Sequence, residues 1–402
     1  MRVLLPPGCA EPQALVDALI RNAGRLGAVH LQGGYTVSDA RWLAKDLPFL
    51  WTTYHYTPKA RDFEAAGRAY FTPMRYFDML REFAPGGAQP VDVVLVQVSS
   101  PDEAGRYSLG VSSSYPYPLC KRAPLVIAQI NPDCPQVPGP EAYLTKSDID
   151  VACEIRTPVY EFSKATGSEA EAAVGRQVAE LVANGSTLQV GVGAIPEALM
   201  TYLNGHKDLA LHSLLVDSSV ELIRSGVANA RFNPVTPGQH EIGEIMGSRN
   251  LYDFVHRNPK IALRSSEIIH NPAEMARRPA FTAVNSAIQV DLTGQVNAES
   301  LGGKQVSSVG GMFDFLTGAS LSPGGKGIIA MPSTAGRNSE ASRIITRFPE
   351  GTPVTVPRYL THFVVTEFGY ADLRGRTLEE RRKSLIRIAH PKFREALERG
   401  EI

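Results

Sequence analysis

The stretch Leu188-Gln189-Val190-Gly191-Val192-Gly193-Ala194-Ile195-Pro196 passes from a β-type run through two glycines toward a helix-like segment, Glu197 to Leu203. It reads as one strand–turn–helix unit, the element from which parallel α/β folds are built. Glycine allows backbone angles that other residues avoid, and it clears side chains from places where a ligand must approach. Amides at the following helix start are placed to receive a phosphate or a thioester oxygen. Taken alone, the pattern also serves as a plain β–α connection. Pro196 stands where a dinucleotide fingerprint needs its third glycine, so no Rossmann NAD site is read here.

Outward from this unit the same alternation continues. Val91 to Val98 (VDVVLVQV) and Leu125 to Ile130 are near-continuous apolar runs of the kind buried parallel strands require. Ala28 to Leu31 is a shorter run before Gly33-Gly34. Glu11 to Asn22 carries Leu15, Ala18 and Leu19 at helical spacing. The proline-rich Pro132 to Ala142 predicts a surface excursion. A boundary near Ser163 to Glu169 divides the chain into expected domains 1–166 and 167–402. The fold class is α/β: two α/β domains with mainly parallel sheets.

Composition narrows the function classes. The 402 residues are 43% hydrophobic and 20% charged, in the range of a soluble globular chain of two domains. Lys plus Arg and Asp plus Glu both total 41, so no global field draws the protein to nucleic acid or to an anionic membrane. The apolar N-terminal run is cut by Pro6-Pro7, too short for a membrane span. Cys9, Cys120, Cys134 and Cys153 form no CxxC pair, a usage that suits the cytoplasm.

Three further features carry candidate chemistry. Ser308 to Phe315 contains a second glycine pair, Gly310-Gly311, read either as an oxyanion hole of backbone amides or as a hairpin or bulge. Glu367 ends the apolar run Val364-Val365-Thr366, where α/β folds place catalytic groups. The competing reading is an ion pair with Arg374. His212 ends another apolar run and is read as a satisfied structural residue or as a base. His206 and His212 do not share a helical face, and no spacing predicts a metal site.

The segments NSAIQVDLTGQVNAES (from Asn285), SVGGMFDF, GGKGIIAMPSTA, VVTEFGYADLRGR and IAHPKFRE, with VDVVLVQVSSPDEAGRYSLG upstream, resemble the acetyl-CoA hydrolase/transferase family. That family includes 4-hydroxybutyrate, butyryl and acetate CoA-transferases. The resemblance covers nearly the whole chain. It implies two CoA-transferase-type α/β domains, an active site in the cleft between them, coenzyme A or acyl-CoA as substrate, no metal, and a homodimer. In the family a glutamate after His-Ser attacks the acyl-CoA carbonyl and carries CoA as a glutamyl thioester. Here Leu209-Ala210-Leu211-His212-Ser213 matches and then continues Leu214-Leu215-Val216-Asp217, so the most economical alignment deletes that glutamate.

Other family positions survive. By resemblance, Gly191, Val192 and Gly193 contact acyl-CoA, while Asn285 and Gly310 or Gly311 orient the thioester. Glu367 matches a second, non-nucleophilic active-site glutamate. Three expectations follow: direct acyl transfer to an amine, hydroxyl or water with Glu367 or His212 as base, a CoA-transferase with a displaced nucleophile, or a non-catalytic acyl-CoA-binding homologue. The acyl group and the acceptor are not encoded in these motifs.

Overall fold

The computed structural model describes residues 1–402, the side chain of Pro58 apart. The chain forms two compact units. The first takes Met1–Ser163 with His212–Asp217 and Gln239–Asn271, and the second takes Lys164–Leu211, Ser218–Gly238 and Pro272–Ile402.

The first unit is built on a seven-stranded sheet. Its order is Ala69–Phe71, Leu50–Thr53, His30–Gly33, Arg2–Leu4, Val93–Val98, Leu125–Ile130 and Val151–Glu154. Every neighbouring pair is parallel. Val93–Val98 is buried at all six positions. Val93 and Leu95 enter one core with Trp42 and Trp51, whereas Val94, Val96 and Val98 enter another with Tyr54, Tyr76 and Tyr115. A strand alternates its side chains between faces, so burial on both faces demands the unbroken apolar run seen in the sequence. The polar exceptions are paired: Asn131 donates to Gln97 at 2.8 Å, and Gln129 donates to Thr157 Oγ1 at 2.8 Å.

Pro132 to Ala142 departs from the sequence expectation. Cys134, Gln136 and Val137 are buried. Ser108 Oγ donates to the Val137 carbonyl at 3.1 Å, and the Leu263 amide donates to that of Pro138 at 2.9 Å. Proline there marks an irregular path, and tertiary hydrogen bonds carry that path inside. Within the same unit, His240–Ile245 runs parallel to Ile261–Leu263 on one side and to the strand segment beginning at His212 on the other.

In the second unit Thr187–Val190, Thr282–Asn285, Lys326–Ala330 and Phe363–Thr366 are parallel neighbours in that order, and Gly369–Asp372 closes the edge antiparallel. Helix Glu169–Leu181 starts in a capping box, Ser168 accepting from the Glu171 amide while Glu171 accepts from that of Ser168. Thr377 and Glu380 repeat the device at helix Leu378–Ile388, whose first turn is exposed. Among the described residues no helix is long and apolar enough to cross a membrane.

Candidate active site

Four strands of the second unit end side by side, and each leads at its carboxyl edge into a residue of the candidate site. Gly191-Val192-Gly193 follow Thr187–Val190 and lead into helix Ala194–Tyr202. Gly193 has φ +132°, ψ 177°, angles that glycine tolerates and other residues rarely adopt. The first hydrogen bond of that helix runs from the Glu197 amide to the Gly193 carbonyl at 3.2 Å, so the amides of Ala194 and Ile195 precede the ladder. Partial positive charge therefore gathers at this turn.

Asn285 ends the second of these strands, and its Nδ2 donates to Gln189 Oε1 at 3.2 Å. Ser286, the next residue, is exposed. The third strand runs out through Met331 and Pro332 to Ser333. The fourth delivers Glu367 into a two-residue turn with Phe368, between Phe363–Thr366 and Gly369–Asp372. Ser333 holds Glu367 by two hydrogen bonds: its amide to Oε2 at 2.8 Å and its hydroxyl to Oε1 at 2.6 Å. The ion pair with Arg374 does not form, because Arg374 binds Asp372 at 2.8 Å and lies over the Phe363 ring, 4.4 Å from its centroid.

A pocket of about 200 Å³ opens at these strand ends, with Val192, Gly193, Ser286, Pro332, Glu171 and Arg343 in its wall. Arg343 donates to the Ala287 carbonyl at 3.4 Å. Burial pushes its pKa below the ordinary arginine value, against the opposing pull of Glu171 and Glu367. The pocket thus combines one partly desolvated cation, two carboxylates near it, and a helix start. Such an arrangement suits a polar ligand whose charge is matched locally.

The remaining sequence candidates are not in the wall of this pocket. Gly310 (φ +52°) and Gly311 form the entry to helix Met312–Leu321, with the Met312 amide donating to the Val309 carbonyl at 3.0 Å. This is a helix entry in place of a hairpin, and neither glycine is in the pocket wall. His212 belongs to the first unit, is 1% exposed, and its Nε2 lies 2.9 Å from the Ile269 carbonyl. Arg343, Ser333 and Glu171 are not singled out by sequence. They come from positions far apart in the chain, and no local spacing signals their convergence.

A set of polar groups at the carboxyl ends of parallel strands, beside a glycine turn and a helix start, defines an α/β enzyme with a small-molecule site. Comparison with known proteins gives the family. The acetyl-CoA hydrolase/transferase N-terminal domain model matches residues 1–154, and the C-terminal domain model of the same family matches 247–400. The 4-hydroxybutyrate coenzyme A transferase of Clostridium kluyveri is 40% identical over 404 residues, covering 98% of this chain and 92% of that one. RipA of Yersinia pestis superposes with a TM-score of 0.92 at 30% identity, covering 99% and 93% of the two chains. The 4-hydroxybutyrate CoA-transferase of Porphyromonas gingivalis gives 0.84 at 32%, covering 99% and 92%. The chain belongs to the acetyl-CoA hydrolase/transferase family, and it is an acyl-CoA-dependent enzyme.

Proposed function

We propose that this protein transfers the acyl group of an acyl-CoA directly to an amine, hydroxyl or water, without a glutamyl-CoA intermediate. The observation that carries this reading is the Ser333–Glu367 contact next to the pocket. It fixes a carboxylate at a strand end, while Ser213 is followed directly by Leu214.

In this reading the thioester lies against the Gly191–Gly193 turn, with Asn285 and the Gly310-Gly311 amides directed at its carbonyl. A thioester is already activated, so positioning and stabilisation of the developing oxyanion supply much of the rate. Glu367 takes the proton of the incoming acceptor. A carboxylate oriented through both oxygens suits a base better than a nucleophile that must swing toward carbon.

The test is intact-mass measurement after incubation with acetyl-CoA and butyryl-CoA, before and after borohydride, alongside CoA release with water, ethanolamine, ethanol and acetate. Direct transfer predicts CoA release with unchanged protein mass. A CoA-sized increase mapped to Glu367 would establish the displaced nucleophile. Saturable binding with no CoA release in any mixture would make the chain a binding homologue.

A further inference from the structure

Arg343 and Glu367 are set by one residue. The short strands Thr334–Ala335 and Ala341–Ser342 pair antiparallel. This hairpin returns the chain to its own base, where the Arg343 amide donates to the Ser333 carbonyl at 2.9 Å. The Arg343 carbonyl in turn accepts from the Val290 amide at 2.8 Å. Ser333 is buried and also holds both oxygens of Glu367, so the cation and the carboxylate are fixed to the same stretch of backbone. All of these residues, with Glu171 and the Gly191–Gly193 turn, belong to the second unit.

The Arg343 side chain is half-buried in the pocket wall, and its charge is poorly matched there. A guanidinium carries five N–H donors in a fixed fork. Among the described residues this one makes a single side-chain hydrogen bond, the long one from Nη1 to the Ala287 carbonyl, and its buried Nε has no partner. Neither nearby carboxylate forms an ion pair with it among the described residues. Glu171 accepts from the amide and hydroxyl of Ser168 at 2.8 and 2.9 Å, and Glu367 is held by Ser333. Both attract Arg343 from a distance, and burial outweighs them. A partly desolvated cation without a counter-ion is the complement of an anionic group on a ligand. The carboxylates near it complement a positive one. The pocket encloses about 200 Å³, below the roughly 300–1,000 Å³ of sites for drug-sized ligands, so the match is a zwitterion of few heavy atoms.

We propose that the acceptor is a small amino acid, its carboxylate bound by Arg343 and its amine turned toward Glu367. This deepens the direct-transfer reading and rests on it. Glu367 removes one proton from the ammonium group. The freed nitrogen lone pair forms the bond to the acyl carbon, and the C–S bond breaks with its electron pair on sulfur. The nitrogen then gives a second proton to water, the sulfur takes one from water, and Glu367 returns its own to solvent. The products are the N-acyl amino acid, free CoA and one proton. Arg343 takes no part in bond making: it holds the far end of the acceptor and so sets which amines are used.

The experiment supplies acetyl-CoA with alanine, alaninamide, ethanolamine or propionate, and follows CoA release and product mass. Alaninamide keeps the amine and loses the carboxylate charge, so the first comparison needs only the wild type. Wild type should use alanine with a kcat/KM about 30-fold or more above that for alaninamide. Arg343→Gln should collapse this preference to less than about threefold, chiefly through the KM for alanine, and Arg343→Lys should restore part of it. Equal use of alanine and alaninamide by wild type, or a preference untouched by Arg343→Gln, would overturn the proposal and leave direct transfer standing. A preference for succinyl-CoA over acetyl-CoA that Arg343→Gln abolishes would assign the cation to the acyl chain and overturn it as well. Two outcomes reach further. Propionyl-CoA formed from propionate, or no CoA release by wild type with any acceptor, would sink direct transfer itself and this acceptor with it.

Discussion

Ser333 engages both carboxylate oxygens of Glu367, one through its backbone amide and one through its hydroxyl. Ser333→Ala removes only the second of these bonds and leaves Glu367 held by the backbone amide alone. We expect turnover to fall about tenfold with little change in the KM for acyl-CoA. Glu367→Gln removes the basic group itself and should cost on the order of 100-fold. Steady-state kinetics on both variants would check the order, and full activity in Glu367→Gln would reduce Glu367 to a structural carboxylate.

Gly193 enters the helix at φ +132° beside the pocket. A valine there must adopt a backbone conformation open essentially to glycine and also fills space at the turn. Gly193→Val should weaken CoA binding more than tenfold in calorimetry and lower the Tm by several degrees. Undiminished affinity would remove the turn from the binding site.

Glu244, in strand His240–Ile245 of the first unit, gives stability a pH dependence whose sign is fixed. Its carboxyl pKa stands at about 8 in the folded protein against an ordinary value of 4.5. Between those values the folded state holds a proton that the unfolded state has released, so stability falls as pH rises across that window. Glu244→Gln has no such titration. Denaturation at pH 5 and pH 9 should show the variant gaining on wild type by on the order of 2–4 kcal/mol at the higher pH. A constant difference would mean that Glu244 titrates normally.

Gly139 tests the pinned segment. Its φ is +154°, and a Cβ there would stand 2.3 Å from the Leu263 amide nitrogen. Gly139→Ala should destabilise by about 3 kcal/mol or more, read as a lower denaturant midpoint. A loss under about 1 kcal/mol would show that the backbone yields cheaply there.

What could be read from the chain depended on how local the signal was. Leu125–Ile130 was readable as a strand because burial on two faces writes itself into consecutive residues. The Gly191 turn and the strand-end position of Glu367 were legible for the same reason, since each is decided by its immediate neighbours. Helix Gln13–Arg21 falls inside the expected Glu11 to Asn22 because apolar spacing is a short-range signal. Arg343, Ser333 and Glu244 gave no such sign. Their roles arise where distant segments meet, as when Ser114 reaches Glu244 across 130 residues of sequence. Pro132 to Ala142 misled for a related cause: local composition spoke of turns, while Ser108 and Leu263 decided burial.

The discontinuity of the first unit has a consequence for synthesis. Its contacts link residues near 113 and 138 to strands that begin at His240 and Ile261. A nascent chain released only as far as Ser163 has its parallel sheet but lacks the partners that hold Val111–Ser113 and Pro138. Completion waits until about Asn271 has left the ribosome, and such delayed long-range pairing is slow and exposes apolar surface meanwhile. A chain truncated after Ser163 should therefore collect in aggregates and chaperone complexes, whereas the N-terminal unit becomes self-sufficient only when its late-arriving strands are present.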